Sequence, residues 1–153
     1  IKKLEANELI ENYTVFKKYP STLEIRINKT KFLANVLKDG KFFILGSNGR
    51  LILSDSKNNN LPNIFGDYDK VSFFKLLKSI EKSNFELFEI KNLYFFKSGR
   101  WDIETNQNIT IKLPKENLEN SLNLSLDILN NKEFKKIKIL DLRQDNQVIV
   151  NGK

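Results

Sequence analysis

Two dipeptides constrain the first third of the chain more than any other feature. Asp39-Gly40 and Asn48-Gly49 are two-residue hairpin signals, because both central positions of a type I′ turn need positive φ, which Gly, Asn and Asp tolerate. They bracket residues 41–45, which contain the short apolar run F-F-I-L. The spacing therefore predicts a three-stranded meander over residues 32–38, 41–45 and 50–54.

The rest of the chain mixes strand and helix patterns. After a short helix at residues 4–10, strict alternation predicts a half-buried strand with Leu23, Ile25 and Ile27 facing inward. Asp69 is a candidate N-cap for a helix over residues 70–83, and a second helix is expected from Pro114 to about residue 129. Further strands are predicted at residues 85–96, 100–105, 109–113, 136–143 and 147–151. This irregular alternation, with hairpins throughout, predicts an α+β fold with an antiparallel sheet.

Composition excludes several kinds of active site. The chain has no Cys and no His, which excludes disulfides, thiolate zinc sites, cysteine nucleophiles and the Ser-His-Asp triad. Asp67 and Asp69 are explained by helix capping, and the loop at residues 46–49 lacks the Gly-Lys-Ser/Thr ending of a phosphate loop. Trp101 is expected in the core or at its rim. We therefore expect a binding or scaffold protein, with no catalytic residue, no metal site and no cofactor.

The charge balance is basic, with 26 Lys and Arg against 19 Asp and Glu. A basic balance can indicate a nucleic-acid partner, but 22 of these cations are Lys and only four are Arg, the residue that reads bases through bidentate contacts. Lys, Asn, Ile and Phe, which have AT-rich codons, are all frequent here. We therefore expect no nucleic-acid partner and keep a Lys-rich nucleic-acid-binding domain as a lesser alternative.

The ends of the chain give two further expectations. The chain contains no Met, so Ile1 is not expected to be the natural start. Its longest apolar runs are about four residues, against the roughly 20 that a spanning helix needs. The last predicted strand, from Gln147, is an interior strand, a charge-protected edge strand, or an open edge strand that could accept a strand from a partner by β-augmentation.

Six motifs resemble, in order, those of the bacterial cell-division family FtsQ/DivIB. The segment V-F-K-K-Y-P-S-T-L-E-I-R-I at residues 15–27 is similar to the family's V-x-R-x-x-P-x-T-L-x-I-x-V stretch, which closes its POTRA domain. The others are the hairpin at residues 43–52, L-P-N-I-F-G at 61–66, R-W-D-I at 100–103, the strand at 108–114 and L-D-L-R at 140–143. The alphaproteobacterial branch is the most similar. The chain departs from the family at residues 28–34, which lack its Glu, Arg and Pro, at Gly46 in place of Asp, and at Gln144 in place of Tyr.

The resemblance implies a domain organisation and a location. Residues 1–36 would be the C-terminal part of a POTRA domain, and residues 37–153 the FtsQ-type β domain, an antiparallel sheet with two helices packed on it. The first strand and first helix of the POTRA domain, the cytoplasmic tail and the membrane helix would then lie outside this chain. The chain would thus be the periplasmic region of a single-pass inner-membrane protein at the division septum.

The resemblance also implies a function and partners. The protein would be a non-enzymatic divisome scaffold that binds the FtsB–FtsL pair and helps control septal peptidoglycan synthesis. Its C-terminal edge strand would take a strand from FtsB. The implied partner-binding residues are Arg143, which pairs with a partner carboxylate, Gln144 in place of a family aromatic, Val148, Ile149 and Val150 on the edge strand, and Arg100 in a basic patch. The competing identification is a POTRA-containing outer-membrane assembly or secretion component.

Overall fold

The computed structural model describes residues 1–152 and divides the chain into two compact units, Ile1–Asn58 and Asn59–Lys153. Both contain β-sheet, and the second also contains two long helices, so the predicted α+β class is confirmed. The predicted boundary between residues 36 and 37 lies inside a strand, Phe32–Lys38. The assignment of the two parts to a POTRA remnant and a β domain stays a prediction.

The first unit consists of strands and one short helix. β1 and β2 form a two-stranded antiparallel sheet, and β3, β4 and β5 form the predicted antiparallel meander. The elements are α1 (Lys2–Glu5), β1 (Ile10–Lys18), β2 (Thr22–Lys29), β3 (Phe32–Lys38), β4 (Lys41–Gly46) and β5 (Leu51–Ser54).

The two predicted turns of the meander differ. Asp39 and Gly40 both have positive φ, 51° and 72°, as a type I′ turn requires. In the second turn only Gly49 has positive φ, and its N–H donates to the carbonyl of Gly46 at 2.9 Å. The second connection is therefore a longer turn that ends in a left-handed residue, and the type I′ prediction is wrong there.

The helix predicted at residues 4–10 is wrong beyond Glu5. The side-chain Oδ1 of Asn7 accepts from the N–H of Leu9 at 2.9 Å, a local turn that competes with helix hydrogen bonding. The carbonyl of Leu9 accepts from the N–H of Thr30 at 2.9 Å. Long-range strand pairing thus replaces the helix, and β1 begins at Ile10.

The inward orientation predicted for β2 is also wrong. Leu23, Ile25 and Ile27 are 55%, 42% and 47% exposed. They share one face of the β1–β2 sheet with Tyr13 and Val15, which lie opposite Ile27 and Ile25. Alternation identifies the apolar face of a strand but not whether anything covers it, and neither α1 nor the meander buries this face.

Asn48 ties the segment around β1 to the meander within this unit. Its side-chain amide donates to the carbonyl of Glu8 at 2.9 Å, to that of Ile10 at 3.3 Å and to Thr30 Oγ1 at 2.8 Å. The sequence identified Asn48 only as a turn residue. Its side chain additionally satisfies backbone acceptors that the irregular start of β1 leaves unpaired.

The second unit is a six-stranded sheet with two helices. Its strand order is β11-β10-β9-β8-β7-β6. The elements are β6 (Asn63–Phe65), α2 (Lys70–Lys82), β7 (Ile90–Phe95), β8 (Trp101–Thr105), β9 (Thr110–Lys112), α3 (Leu118–Asn130), β10 (Ile139–Gln144) and β11 (Gln147–Asn151).

This sheet is mixed rather than purely antiparallel. β6 pairs with β7, and β9 with β10, in parallel, whereas the other pairs are antiparallel. Parallel neighbours need a long crossover connection, commonly a helix. α2 and α3 are those two connections, so the helices that the sequence places between strands are the reason for the parallel pairs.

The core of the second unit lies between the helices and one face of the sheet. Trp101 is 2% exposed. Its Nε1 donates to Ser72 Oγ on α2 at 3.0 Å, and its ring lies 6.2 Å from that of Phe73. The predicted core position of Trp101 is therefore confirmed. Other fully buried side chains of this core are Leu76, Leu93, Ile103, Ile111, Leu113, Leu122 and Leu140.

The two helices begin differently. Asp69 caps α2 as predicted, since its Oδ1 accepts from the N–H of Ser72 at 2.7 Å. α3 begins at Leu118, four residues later than predicted, after Asn117 in a left-handed conformation. Pro114 therefore precedes the helix instead of opening it.

Candidate functional site

β11 lies at an edge of the sheet. Within the described part of the chain its strand neighbour is β10, which pairs with it antiparallel. The sequence left open whether this strand is interior or an edge, and the structure places it at the edge. One row of its backbone N–H and C=O groups therefore faces away from the sheet and can pair with another strand.

The side chains of β11 alternate between the two faces of the sheet. Ile149 lies opposite Asp141, and Val150 lies opposite the buried Leu140. Val148 and Ile149 are 38% and 44% exposed, and the sequence Q-V-I-V-N carries no charge. Edge strands are commonly protected by charges or Pro, so this uncharged, partly apolar edge is chemically suited to strand addition.

A bulge interrupts the β10–β11 pairing near the hairpin. Asp141 lies opposite Ile149, and Gln144 lies opposite Gln147. Two residues of β10, Leu142 and Arg143, therefore lie opposite the single residue Val148 of β11. A bulge locally bends a strand and redirects its side chains, and the Arg143 side chain here is 40% exposed.

Arg143 is held by Asp141 on the same strand. Its Nε donates to Oδ1 of Asp141 at 2.8 Å, and its Nη2 donates to Oδ2 at 2.5 Å. These hydrogen bonds lower the pKa of Asp141 and raise the pKa of Arg143. A bidentate pair fixes the plane of the guanidinium, so Arg143 presents its remaining N–H donors in one orientation.

Arg100 and Asp102 form a second, more buried pair. Arg100 Nε lies 3.3 Å from Asp102 Oδ1, and the two side chains are 22% and 8% exposed. Neither atom has a well-aligned hydrogen-bond partner among the described residues. Burial raises the pKa of Asp102, although the nearby Arg100, Lys112 and Arg143 oppose the rise. The guanidinium of Arg100 also lies 4.7 Å from the ring centre of Phe96, a cation–π contact.

Lys112 connects these two pairs. It lies opposite Asp102 on one side and opposite Asp141 on the other. The sheet face away from the helices therefore carries alternating charges across β8, β9 and β10. We call this surface the charged face; it consists of Arg100, Asp102, Lys112, Asp141 and Arg143.

The six residues predicted from the sequence fall into two groups. Arg143, Gln144, Val148, Ile149 and Val150 belong to the β10–β11 hairpin, whereas Arg100 immediately precedes β8, two strands from β10. Gln144 is exposed and lies opposite Gln147.

Sequence reasoning missed three members of the charged face, Asp102, Lys112 and Asp141. A signal was present, since R-W-D and D-L-R each place two opposite charges at positions i and i+2 of a strand. Such residues share one face of a sheet.

The candidate site lies on the surface of the sheet. Cavities of about 280, 240 and 220 Å³ are lined by none of the six predicted residues. Residues 1–152 contain no group of three or more acidic, His or Cys side chains placed to hold a metal ion. The arrangement can bind a peptide segment through backbone hydrogen bonds and charge pairing.

An α+β module with an exposed sheet edge beside a charged face is the class of structure that these observations define. A sequence profile described as "Cell division protein FtsQ/DivIB, C-terminal" matches residues 34–143. The chain therefore belongs to the FtsQ/DivIB family of cell-division proteins, as its motifs predicted. This assignment favours the divisome identification over an outer-membrane assembly or secretion component.

Individual relatives agree with this assignment. Cell division protein FtsQ from Rickettsia prowazekii and that from Rickettsia bellii are each 28% identical to this chain, over 96% of it and 56% of the relative. The chain thus spans about half the length of the curated relatives it matches.

Among solved structures, the chain is similar to the major extracytoplasmic domain of the cell-division protein DivIB from Geobacillus stearothermophilus. Its TM-score is 0.48 at 16% identity, over 62% of this chain and 87% of that chain. Within residues 1–152, no helix is long and apolar enough to cross a membrane.

Proposed function

We propose that this chain is the periplasmic part of a single-pass inner-membrane scaffold that acts at the division septum. It binds the FtsB–FtsL pair, accepts a strand of FtsB along β11, and helps control septal peptidoglycan synthesis. Family membership supports the role in division. The observation that carries the proposal is the position of β11, an uncharged strand with one described neighbour and two exposed apolar side chains.

Strand addition explains how such a surface gives both affinity and specificity. Backbone hydrogen bonds to β11 supply sequence-independent affinity, and side chains on alternate positions supply selectivity. A partner strand beside β11 would place every second residue on the charged face, near Ile149 and Arg143. Partner carboxylates at those positions would meet Arg143, and Arg100 offers a second cation on the same face.

The proposed role requires no catalysis. The chain has neither His nor Cys, and the carboxylates of the charged face are occupied by cations. We infer that Asp102 and Asp141 orient the arginines toward the partner. The protein is therefore proposed to act through binding alone, without a cofactor or metal and without nucleic acid.

Calorimetric titration with the periplasmic part of the organism's own FtsB–FtsL pair tests this proposal. The informative variant is Ile149→Lys, which places a charge on the edge and leaves the backbone intact. Its matched control is Leu53→Lys, because Leu53 is 62% exposed on β5, an edge strand of the meander. We expect saturable 1:1 binding that Ile149→Lys weakens at least about tenfold and Leu53→Lys leaves within about twofold.

Arg143→Glu belongs in the same titration. It reverses the charge that would meet a partner carboxylate and places a second carboxylate beside that of Asp141. We expect a loss of affinity of about tenfold or more with the domain still folded. An unchanged affinity would remove Arg143 from the site, and no binding by the folded wild type would reject the proposed partner.

A further inference from the structure

Four lysines cluster in the segment that leads into β10. Lys132, Lys135, Lys136 and Lys138 fall within seven residues, whereas 22 lysines in 153 residues average about one in seven. All four are exposed, and no ion pair found among residues 1–152 includes any of them. We call this set the lysine cluster.

The lysine cluster lies beside the C-terminal end of β11. The N–H of Lys138 donates to the carbonyl of Asn151 at 2.9 Å. The next residue, Gly152, is so close to the backbone of Lys136 that an added Cβ would overlap the carbonyl oxygen of Lys136. Both contacts fix the backbone of the cluster against the last residues of β11.

The two ends of β11 therefore differ in charge. At the hairpin end, Arg143 is already paired with Asp141, and Asp145 adds a further negative charge. At the other end, four lysines with Glu133 among them carry a net positive charge, and the described structure shows no ion pair for these lysines. Between them β11 itself is uncharged. A strand that pairs with β11 therefore meets Arg143, partly neutralised by Asp141, at the hairpin end. At the other end it meets the lysine cluster, for which the described structure shows no ion pair.

The direction of the partner strand decides which of its ends meets the lysines. Antiparallel pairs are more stable per residue and outnumber parallel pairs two- to threefold. In an antiparallel arrangement the N-terminal end of the partner strand lies beside the C-terminal end of β11. The residues just before the partner's strand then lie next to the lysine cluster.

We propose that the lysine cluster binds acidic side chains that directly precede the apolar strand of the partner. This inference rests on the proposed function and adds to it the charge pattern of the bound segment. Exposed charge pairs of this kind mainly raise the association rate and select the correct register. The lysines thus distinguish an acidic-then-apolar segment from an apolar strand alone.

A double charge reversal tests the inference. Lys136→Glu with Lys138→Glu is compared with Lys38→Glu with Lys41→Glu, an exposed pair at the β3–β4 turn. Each is titrated with the periplasmic FtsB–FtsL pair at several salt concentrations. We expect the first variant to lose affinity at least about tenfold at low salt and to bind with a weaker salt dependence. The control should stay within about twofold of the wild type.

The outcomes separate this inference from the proposed function. If the wild type binds and the Lys136/Lys138 reversal binds equally well, the lysine cluster has no role, while strand addition at β11 stands. If the folded wild type does not bind, the proposed function fails first. Should the reversal unfold the domain, Lys135→Gln with Lys136→Gln removes the charges without adding new ones, and a loss of about threefold is expected.

Cross-linking tests the direction. A photoreactive benzophenone side chain is placed at position 138 in one sample and at position 147 in another, and the captured partner residues are identified by mass spectrometry. We expect position 138 to capture residues that precede, in the partner sequence, those captured by position 147. The reverse order would contradict the antiparallel arrangement.

Discussion

Arg143 donates two parallel hydrogen bonds to Asp141, the residue two positions before it on the same strand. The arginine implied to bind a partner carboxylate is thus already bound to a carboxylate of its own chain. Asp141 both orients the guanidinium and neutralises part of its charge. Any partner acid must bind to the N–H groups that Asp141 leaves free.

Removing the charge of Asp141 should strengthen partner binding. In Asp141→Asn, Arg143 keeps a hydrogen-bond acceptor but carries an uncompensated charge, so a partner carboxylate is attracted more strongly. We expect affinity to rise about threefold at low salt, with a steeper salt dependence. Titrations at two salt concentrations measure both effects. A fall in affinity would show that orientation by Asp141 outweighs the competition.

The buried Asp102 should make stability decrease with rising pH in a defined window. Its folded-state pKa is raised by burial, above the unfolded value of about 3.9. The folded state therefore holds a proton that the unfolded state has lost, and stability falls as pH rises from about 4 through the raised pKa.

Asp141 and Glu104 act in the opposite sense, since their pKa values are lowered. The stability they contribute is present above about pH 4 and is lost only as pH falls further.

Urea unfolding tests the role of Asp102. From pH 4 to pH 7 the free energy of unfolding should decrease less for Asp102→Asn than for the wild type. Equal slopes would exclude Asp102 as the cause.

The core beneath the site should be sensitive to truncation. Leu122 on α3 is fully buried, whereas Leu124, two residues along, is 42% exposed. Leu122→Ala should lower the free energy of unfolding by about 2–5 kcal/mol through lost burial and a cavity. Leu124→Ala should change it by no more than about 1 kcal/mol. Urea unfolding followed by the fluorescence of Trp101 measures both, and similar losses would contradict the observed orientation of α3.

Gly152 should be required for the end of β11 to stay in place. A Cβ at this position would overlap the backbone of Lys136, which cannot move aside as a flexible side chain can. Gly152→Ala should therefore detach the end of β11, speed hydrogen exchange at whichever amide of Val150 and Asn151 faces β10, and weaken partner binding. Unchanged exchange at those amides would show that the close approach to Lys136 is absent in solution.

The sequence predicted the local elements well, because their signals are local. The turn at Asp39-Gly40, the cap at Asp69 and the apolar stripe of α2 each depend on a few neighbouring residues, and all three are observed. The helix predicted at residues 4–10 ends early because Leu9 pairs instead with Thr30, 21 positions further along the chain. A pairing at that distance leaves no mark in a local pattern.

The candidate site was only partly predictable for the same reason. The family resemblance names Arg143 and the strand from Gln147 as partner-binding, which stays a prediction. The D-L-R pattern places Asp141 and Arg143 on one face of the sheet, but the bulge beside them has no signal in the sequence. Lys112 was missed because its role depends on two different strand registers. The exposure of Ile25 was missed because alternation does not reveal what covers a sheet face.

Hydrogen exchange of the backbone amides, compared between the free protein and its complex with the periplasmic FtsB–FtsL pair, tests the central claim most directly. Strand addition would give the outward-facing amides of β11 (Gln147–Asn151) new hydrogen-bond partners, so their exchange should slow by about tenfold or more. The amides of β5 (Leu51–Ser54), an edge strand of the meander, serve as the internal control and should be unchanged. Protection that appears elsewhere and leaves β11 unaffected would contradict the account.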